Sequence, residues 1–230
     1  MSITGSPDGE PQKVGVALVD VIAGLFASVG ILVALGHRKE SGEGQLVEVN
    51  LLSSLLAALV NQASAYTVAG VVPERMGNNH PSIAPYELLR TSSGDLVLAV
   101  GNDRQFAALC EVVGARGLAA DARFATNRER VAHRNELRDL LTARLADRPA
   151  AAWVTALLDA GVPAGVVNDI GEAFALAAEL GLEPTIEIPA ADGAAVPLTR
   201  NPIGLSLTPP GYRLAPPPLG AHRSSPCGAG

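Results

Sequence analysis

The chain has 230 residues, enough to bury a real core; hydrophobic residues make up 48% but aromatics only 3%, so that core must be built from small aliphatic side chains. Its net charge of −6 is dispersed and no basic run is present, which argues against a nucleic-acid partner. Two distant cysteines, Cys110 and Cys227, suit a reducing cytoplasm rather than a disulfide framework. His37, His80, His133 and His222 lack metal-ligand spacing, so no metal is expected.

Residues 1–13 are polar and turn-rich, with Pro7-Asp8-Gly9 as a turn and no charged-then-apolar leader pattern. Val14–Leu35 is then apolar or small at every position except Asp20 and Ser28. A carboxylate in such a run is costly to desolvate unless partners hold it or its pKa rises. Asp20 is therefore the first candidate for chemistry, with capping of helix donors as the alternative. The run is also long enough to cross a membrane, and His37, Arg38 and Lys39 give it a positive flank. Asp20 near its start argues against a span, as do the polar groups of the next apolar run (Ser53, Ser54, Asn61, Gln62, Ser64, Tyr66) and the missing aromatic belts. A core or subunit-interface helix fits better, and no membrane partner is expected.

This helix should reach about Arg38 and break at Ser41-Gly42-Glu43-Gly44. Gln45–Asn50 alternates as a strand does, and a second apolar helix is predicted over Leu51–Ala69. Gly70–Pro85 is a long irregular segment of the kind that carries function or links domains. Tyr86–Arg90 and Leu96–Val100 flank the turn TSSGD as a hairpin. Asn102–Val113 reads as a helix capped by Asn102 and Asp103, with Phe106, Leu109 and Cys110 on one side. Asn127–Leu145 reads as one amphipathic helix that buries Val131, Leu137, Leu140, Leu141 and Leu145 and leaves Arg128, Arg130 and Arg134 solvated. Pro149–Ala160 is a helix with Trp153 in the core, Val166-Val167 a brief strand and Ile170–Leu180 a further helix. Thr185–Ile188 and Ala195–Leu198 are short strands before a Pro-rich tail. The texture divides the chain at 1–72, 73–182 and 183–230.

Several stretches, in order, carry a family likeness: KVGVALVDVIAGLFASVGILVAL, SGEGQLVEVNLLSSLL, GNNHPSIAPYELLRTSSGDLVLAVGNDRQFAALC, ARFATNRERVAHRNEL, WVTALLDAGVPAGVVND and APPPLGAH. Together they resemble the class III CoA-transferases, the formyl-CoA transferase or CaiB/BaiF-like family, over nearly the whole chain. The resemblance implies an α/β fold: a helical remnant of a Rossmann-like large domain, a small α+β domain, and a C-terminal tail returning to the large domain. It also implies an N-terminally truncated chain, because the family's N-terminal CoA-binding segment has no counterpart before Asp20.

The family's nucleophile matches Asp20. A carboxylate there would attack an acyl-CoA thioester to give a mixed anhydride and then an aspartyl-CoA thioester, with water excluded. The family's glycine-rich covering loop has its nearest counterpart in Gly77, Asn78, Asn79 and His80, with one glycine where better-known members have several. Leu51 falls where a family residue touches CoA. No resident cofactor is implied, since the CoA thioester is the substrate. The implied partners are an acyl-CoA, a carboxylate acceptor and a homodimer mate or a separate chain supplying the N-terminal half. VALVD, GNNHPSIAPY and GNDRQF are closer to transferases acting on dicarboxylates than to formyl-CoA transferase. Two alternatives stand beside this reading: an inactive remnant serving as a binding module, and an α-methylacyl-CoA racemase, whose Gly-rich residues after the aspartate are replaced here by Val21-Ile22-Ala23.

Overall fold

A computed structural model describes residues 1–190 and 193–220. The readings placed on Ala221, His222 and Cys227 lie outside these described residues. The chain divides into two compact units, Met1–Val166 and Val167–Gly230.

The first unit opens with an irregular N-terminal segment and helix α1 (Leu18–Ser41). Gly42 stops α1 by taking the left-handed conformation, φ 80°, that a side chain resists, and its N–H closes on the Arg38 carbonyl. The following segment lies against the helix at Gly30, where an added Cβ would come within 2.9 Å of Val47 Cγ1. Gln45–Asn50 does not form the expected strand. Alternation sorts side chains between two faces, but a strand also needs a neighbouring backbone, and none of the described residues pairs with this segment. Asn50 instead caps α2 (Leu51–Ala58), its Oδ1 accepting the Ser53 N–H at 2.9 Å.

The single helix expected over Leu51–Ala69 is two. α3 (Val60–Ala69) leaves α2 at a bend of 87°. Val60 at the bend has φ 47°, a conformation disfavoured for a β-branched residue. No glycine or proline announces this break in the sequence.

The rest of this unit closes a core. β1 (Tyr86–Arg90) and β2 (Asp95–Ala99) form the predicted antiparallel hairpin, in which Gly94 takes φ 79° at the turn. Four helices follow: α4 (Asp103–Val112), α5 (Arg116–Ala120), α6 (Asn127–Ala132) and α7 (Arg134–Leu145). After α8 (Ala150–Asp159), β3 (Ala164–Val166) adds antiparallel to β2, giving the sheet order β1-β2-β3. Leu89, Leu96 and Leu98 of the sheet meet Phe106, Leu109 and Cys110 of α4, Leu137, Leu141 and Leu145 of α7, and Trp153 and Leu157 of α8.

Three details of the expected Asn127–Leu145 helix are corrected. It is broken at His133, whose backbone (φ −109°, ψ 26°) leaves the helical region while its ring nitrogen reaches the Glu129 carbonyl. Arg130 is not solvated but fully buried. Its guanidinium donates to the Ala84 and Phe124 carbonyls, pairs with Asp103 at 2.7 Å and stacks on Phe106. Asp103 thus serves as an ion partner, and Asn102 alone caps α4. Leu140, expected on the buried stripe, is exposed.

The second unit holds α9 (Ile170–Glu179), opened by a reciprocal capping box between Asp169 and Glu172, and the two-stranded ribbon β4 (Thr185–Pro189) and β5 (Ala195–Thr199).

Candidate functional site

Asp20 is the third residue of α1, where a carboxylate faces the free N–H groups and positive dipole end of the first turn. α1 has no side-chain cap, and among the described residues nothing donates to or pairs with Asp20. The carboxylate is not buried, as its apolar surroundings in sequence suggested; it is exposed. The reason is that the apolar side chains of α1 are themselves uncovered, none of them being buried.

Asp20 lines a cavity of about 1150 Å³ between the N-terminal segment, the start of α1, the end of α2 and the start of α3. Its floor is apolar, with Val16, Ile22, Leu55, Leu56 and Leu59; its polar side chains include Gln12, Lys13, Gln62, Tyr66 and Thr67. Asp20 is the only carboxylate among the described lining residues. The volume lies just above the range of ordinary small-molecule sites, about 300–1,000 Å³.

A second, smaller cleft of about 310 Å³ is lined by Asn61, Gln62, Gly77, Asn78, Asn79, His80, Pro81 and Tyr86. Gln62 lines both spaces, so the 87° bend at Val60 sets one side chain at the junction of the Asp20 cavity and the 77–80 loop.

The loop is held from both ends. Gly77 takes φ 62° and its N–H donates to the Gly5 carbonyl at 2.9 Å. The Asn79 amide donates to the Met76 carbonyl and accepts from Arg138 at 2.7 Å. Arg138 also pairs with the buried Glu87. One turn earlier on α7, Arg134 donates to the His80 carbonyl at 3.0 Å; burial lowers the pKa of its guanidinium, with Glu87 acting in the opposite direction. The His80 ring stacks on Tyr86 and accepts the Ser82 N–H, so its visible role is to shape the loop. Asn78 is exposed at the tip. Leu51, at the head of α2, is half exposed and lines neither space.

Sequence reading therefore named Asp20 and the loop but missed what joins them. Gln62 stood only among the polar groups that argue against a membrane span, although an amide in an apolar helix was itself a signal. Lys13, directly before the apolar run, was overlooked. Among the described residues no cluster of three or more metal-ligating side chains occurs.

Comparison with solved structures defines the class. The fold superposes on a CaiB/BaiF family protein from Brucella suis with a TM-score of 0.78 and 39% identity, over 96% of this chain and 57% of that one. A protein from Mycobacterium tuberculosis matches with a TM-score of 0.81 at 24% identity, over 96% of this chain and 58% of the other, a likeness of fold alone. The architecture is part of a class III CoA-transferase fold. The family model for CoA-transferase family III matches residues 1–223, and the chain belongs to that family.

Among curated relatives, the succinate–glutarate CoA-transferase of Agrobacterium fabrum is 42% identical over 224 residues, 97% of this chain and 56% of the relative. The acetyl-CoA:oxalate CoA-transferase of Acetobacter aceti is 38% identical over 174 residues, 76% of this chain and 45% of the relative. The chain thus spans about half the length of the curated relatives it matches. By length and composition alone, α1 could cross a membrane, as could the bent pair α2 and α3 if counted as one span.

Proposed function

We propose that this chain carries the nucleophile of an acyl-CoA:carboxylate CoA-transferase and that Asp20 is that nucleophile. The observation that carries the reading is that Asp20 is the sole carboxylate among the described residues lining the 1150 Å³ cavity and has no partner to occupy it. An unpaired carboxylate at a helix start has the charge and the freedom needed to attack a thioester carbonyl.

The steps balance without any oxidant or net proton. An Asp20 oxygen bonds to the thioester carbonyl carbon, the C–S bond breaks, and CoA leaves as a thiolate from the mixed anhydride. The thiolate attacks the Asp20 acyl carbon, releasing the donor acid as a carboxylate and leaving an aspartyl-CoA thioester. An acceptor carboxylate then displaces the thiolate from Asp20. The thiolate returns to the acceptor's own acyl carbon, giving the new acyl-CoA and free Asp20. Water would hydrolyse the anhydride, and the Gly77–His80 loop beside the cavity is suited to exclude it.

The relatives named for succinate, glutarate and oxalate support dicarboxylates as the substrate class. No resident cofactor is required, and the compartment we infer is the cytoplasm. A homodimer mate or a partner chain would cover the exposed apolar face of α1. Val21-Ile22-Ala23 follow Asp20 where the racemases carry Gly-rich residues, which favours the transferase.

The test is mass spectrometry of the purified chain incubated with succinyl-CoA and then hydroxylamine. The peptide carrying Asp20 should be recovered as its hydroxamate, and Asp20→Ala should abolish the product. An unmodified parent, or a variant modified equally, overturns the assignment and leaves the inactive binding module in its place.

A further inference from the structure

Resting on the dicarboxylate reading above, we propose that Lys13 is the specificity residue of the Asp20 cavity, holding the distal carboxylate of a dicarboxylic substrate. A dicarboxylate presents one carboxylate for transfer and a second that stays ionised. Placed in a mostly apolar cavity beside the Asp20 anion, that second charge is repelled and desolvated unless a cation meets it.

Lys13 is the only cationic side chain among the described residues lining the cavity. It forms no ion pair or hydrogen bond with any described residue, so its ammonium is not already engaged. It is not paired with Asp20, although both line the same space, so neither charge neutralises the other. Arg75, a second cationic side chain reaching the N-terminal segment, is committed to the carbonyls of Ser6, Pro7 and Gly9. Gln62 and Thr67 across the cavity are neutral and can orient a carboxylate but cannot balance its charge.

The test compares binding of glutarate with that of valerate, a monoanion of the same chain length, by isothermal titration calorimetry. Lys13→Met should weaken glutarate at least about tenfold, Lys13→Arg should stay within about threefold of the parent, and valerate should be indifferent to both. The proposal is overturned if Lys13→Met binds glutarate as the parent does, if it weakens both ligands equally, or if the parent binds no glutarate. It is also overturned if the variant loses free CoA instead, which would assign the ammonium to a CoA phosphate.

Asp20→Asn separates this proposal from the catalytic one. It should bind glutarate at least as tightly as the parent, a like charge having been removed, while yielding no hydroxamate. Lys13-dependent glutarate binding without an Asp20 adduct in the parent sinks the nucleophile alone. An adduct with Lys13-independent glutarate binding sinks the specificity role alone.

Discussion

α1 and α7 lie in the same unit and invert what their compositions suggest. α1 is nearly continuous in Val, Leu, Ile, Ala and Gly, yet none of its 24 residues is buried. α7 reads RNELRDLLTARL, rich in charge, yet it buries Leu137, Leu141 and Leu145 completely. Burial therefore follows a stripe that meets a partner surface, here the sheet and α8, and not the amount of apolar surface on offer. An apolar helix without such a partner is a surface still to be covered.

The largest effects should fall on the closed side. Trp153 is 2% exposed, donates its indole N–H to the Leu145 carbonyl at 3.0 Å and carries the Arg148 guanidinium on its ring. Trp153→Ala removes packing, hydrogen bond and stacking together and should cost about 4 kcal/mol in urea unfolding. Next comes Arg130→Met, which leaves the Ala84 and Phe124 carbonyls without their donor in the core and should cost about 3 kcal/mol. Arg130→Lys should recover less than half of that, because one ammonium cannot reach three acceptors set in a planar fork. If either core variant unfolds at the parent's urea midpoint, the contrast between the two regions fails.

The open side should respond in the opposite sense. Leu32 is 68% exposed on α1. Leu32→Asp should change the free energy of urea unfolding by no more than about 0.5 kcal/mol while reducing fluorescent-dye binding and self-association on gel filtration. Leu141→Asp, the same change on α7, should leave no cooperative transition. A large loss of stability at Leu32 would show that α1 is part of a core after all.

The sequence made the closed region legible almost element by element. The hairpin, the Asn102 cap, the Phe106–Leu109–Cys110 face and Trp153 all follow from periodicity and turn chemistry. It misread features that depend on a neighbour distant along the chain. Arg130 looks solvated by its spacing and is buried only because two carbonyls and Asp103 converge on it. The bend at Val60 and the break at His133 contain no glycine or proline to announce them. Asp20 was conspicuous as the one charge in an apolar run, but its exposure could not be read there, since apolar neighbours in sequence say nothing about which of them are covered. Lys13 and Gln62 acquire meaning only once α1, α2, α3 and the N-terminal segment enclose a common space.

Cys110 offers the smallest test, one of closure. It is fully buried on α4, and burial pushes its thiol from an ordinary 9.0 up to about 11, against a weaker opposing pull from Arg130. The folded state therefore holds the proton more tightly than the unfolded one. This contribution is fully present below pH 9.0 and is lost as pH rises through about 11, where the unfolded thiolate draws the equilibrium toward unfolding. In a Cys227→Ser chain, iodoacetamide at pH 8 should leave Cys110 unmodified until urea unfolds the protein, and the urea midpoint should drift downward between pH 9 and 11 more than in Cys110→Ala. Ready alkylation of the native chain at pH 8 would mean that the α4 face opens to water, and the boundary between the covered and uncovered halves of this unit would have to be drawn elsewhere.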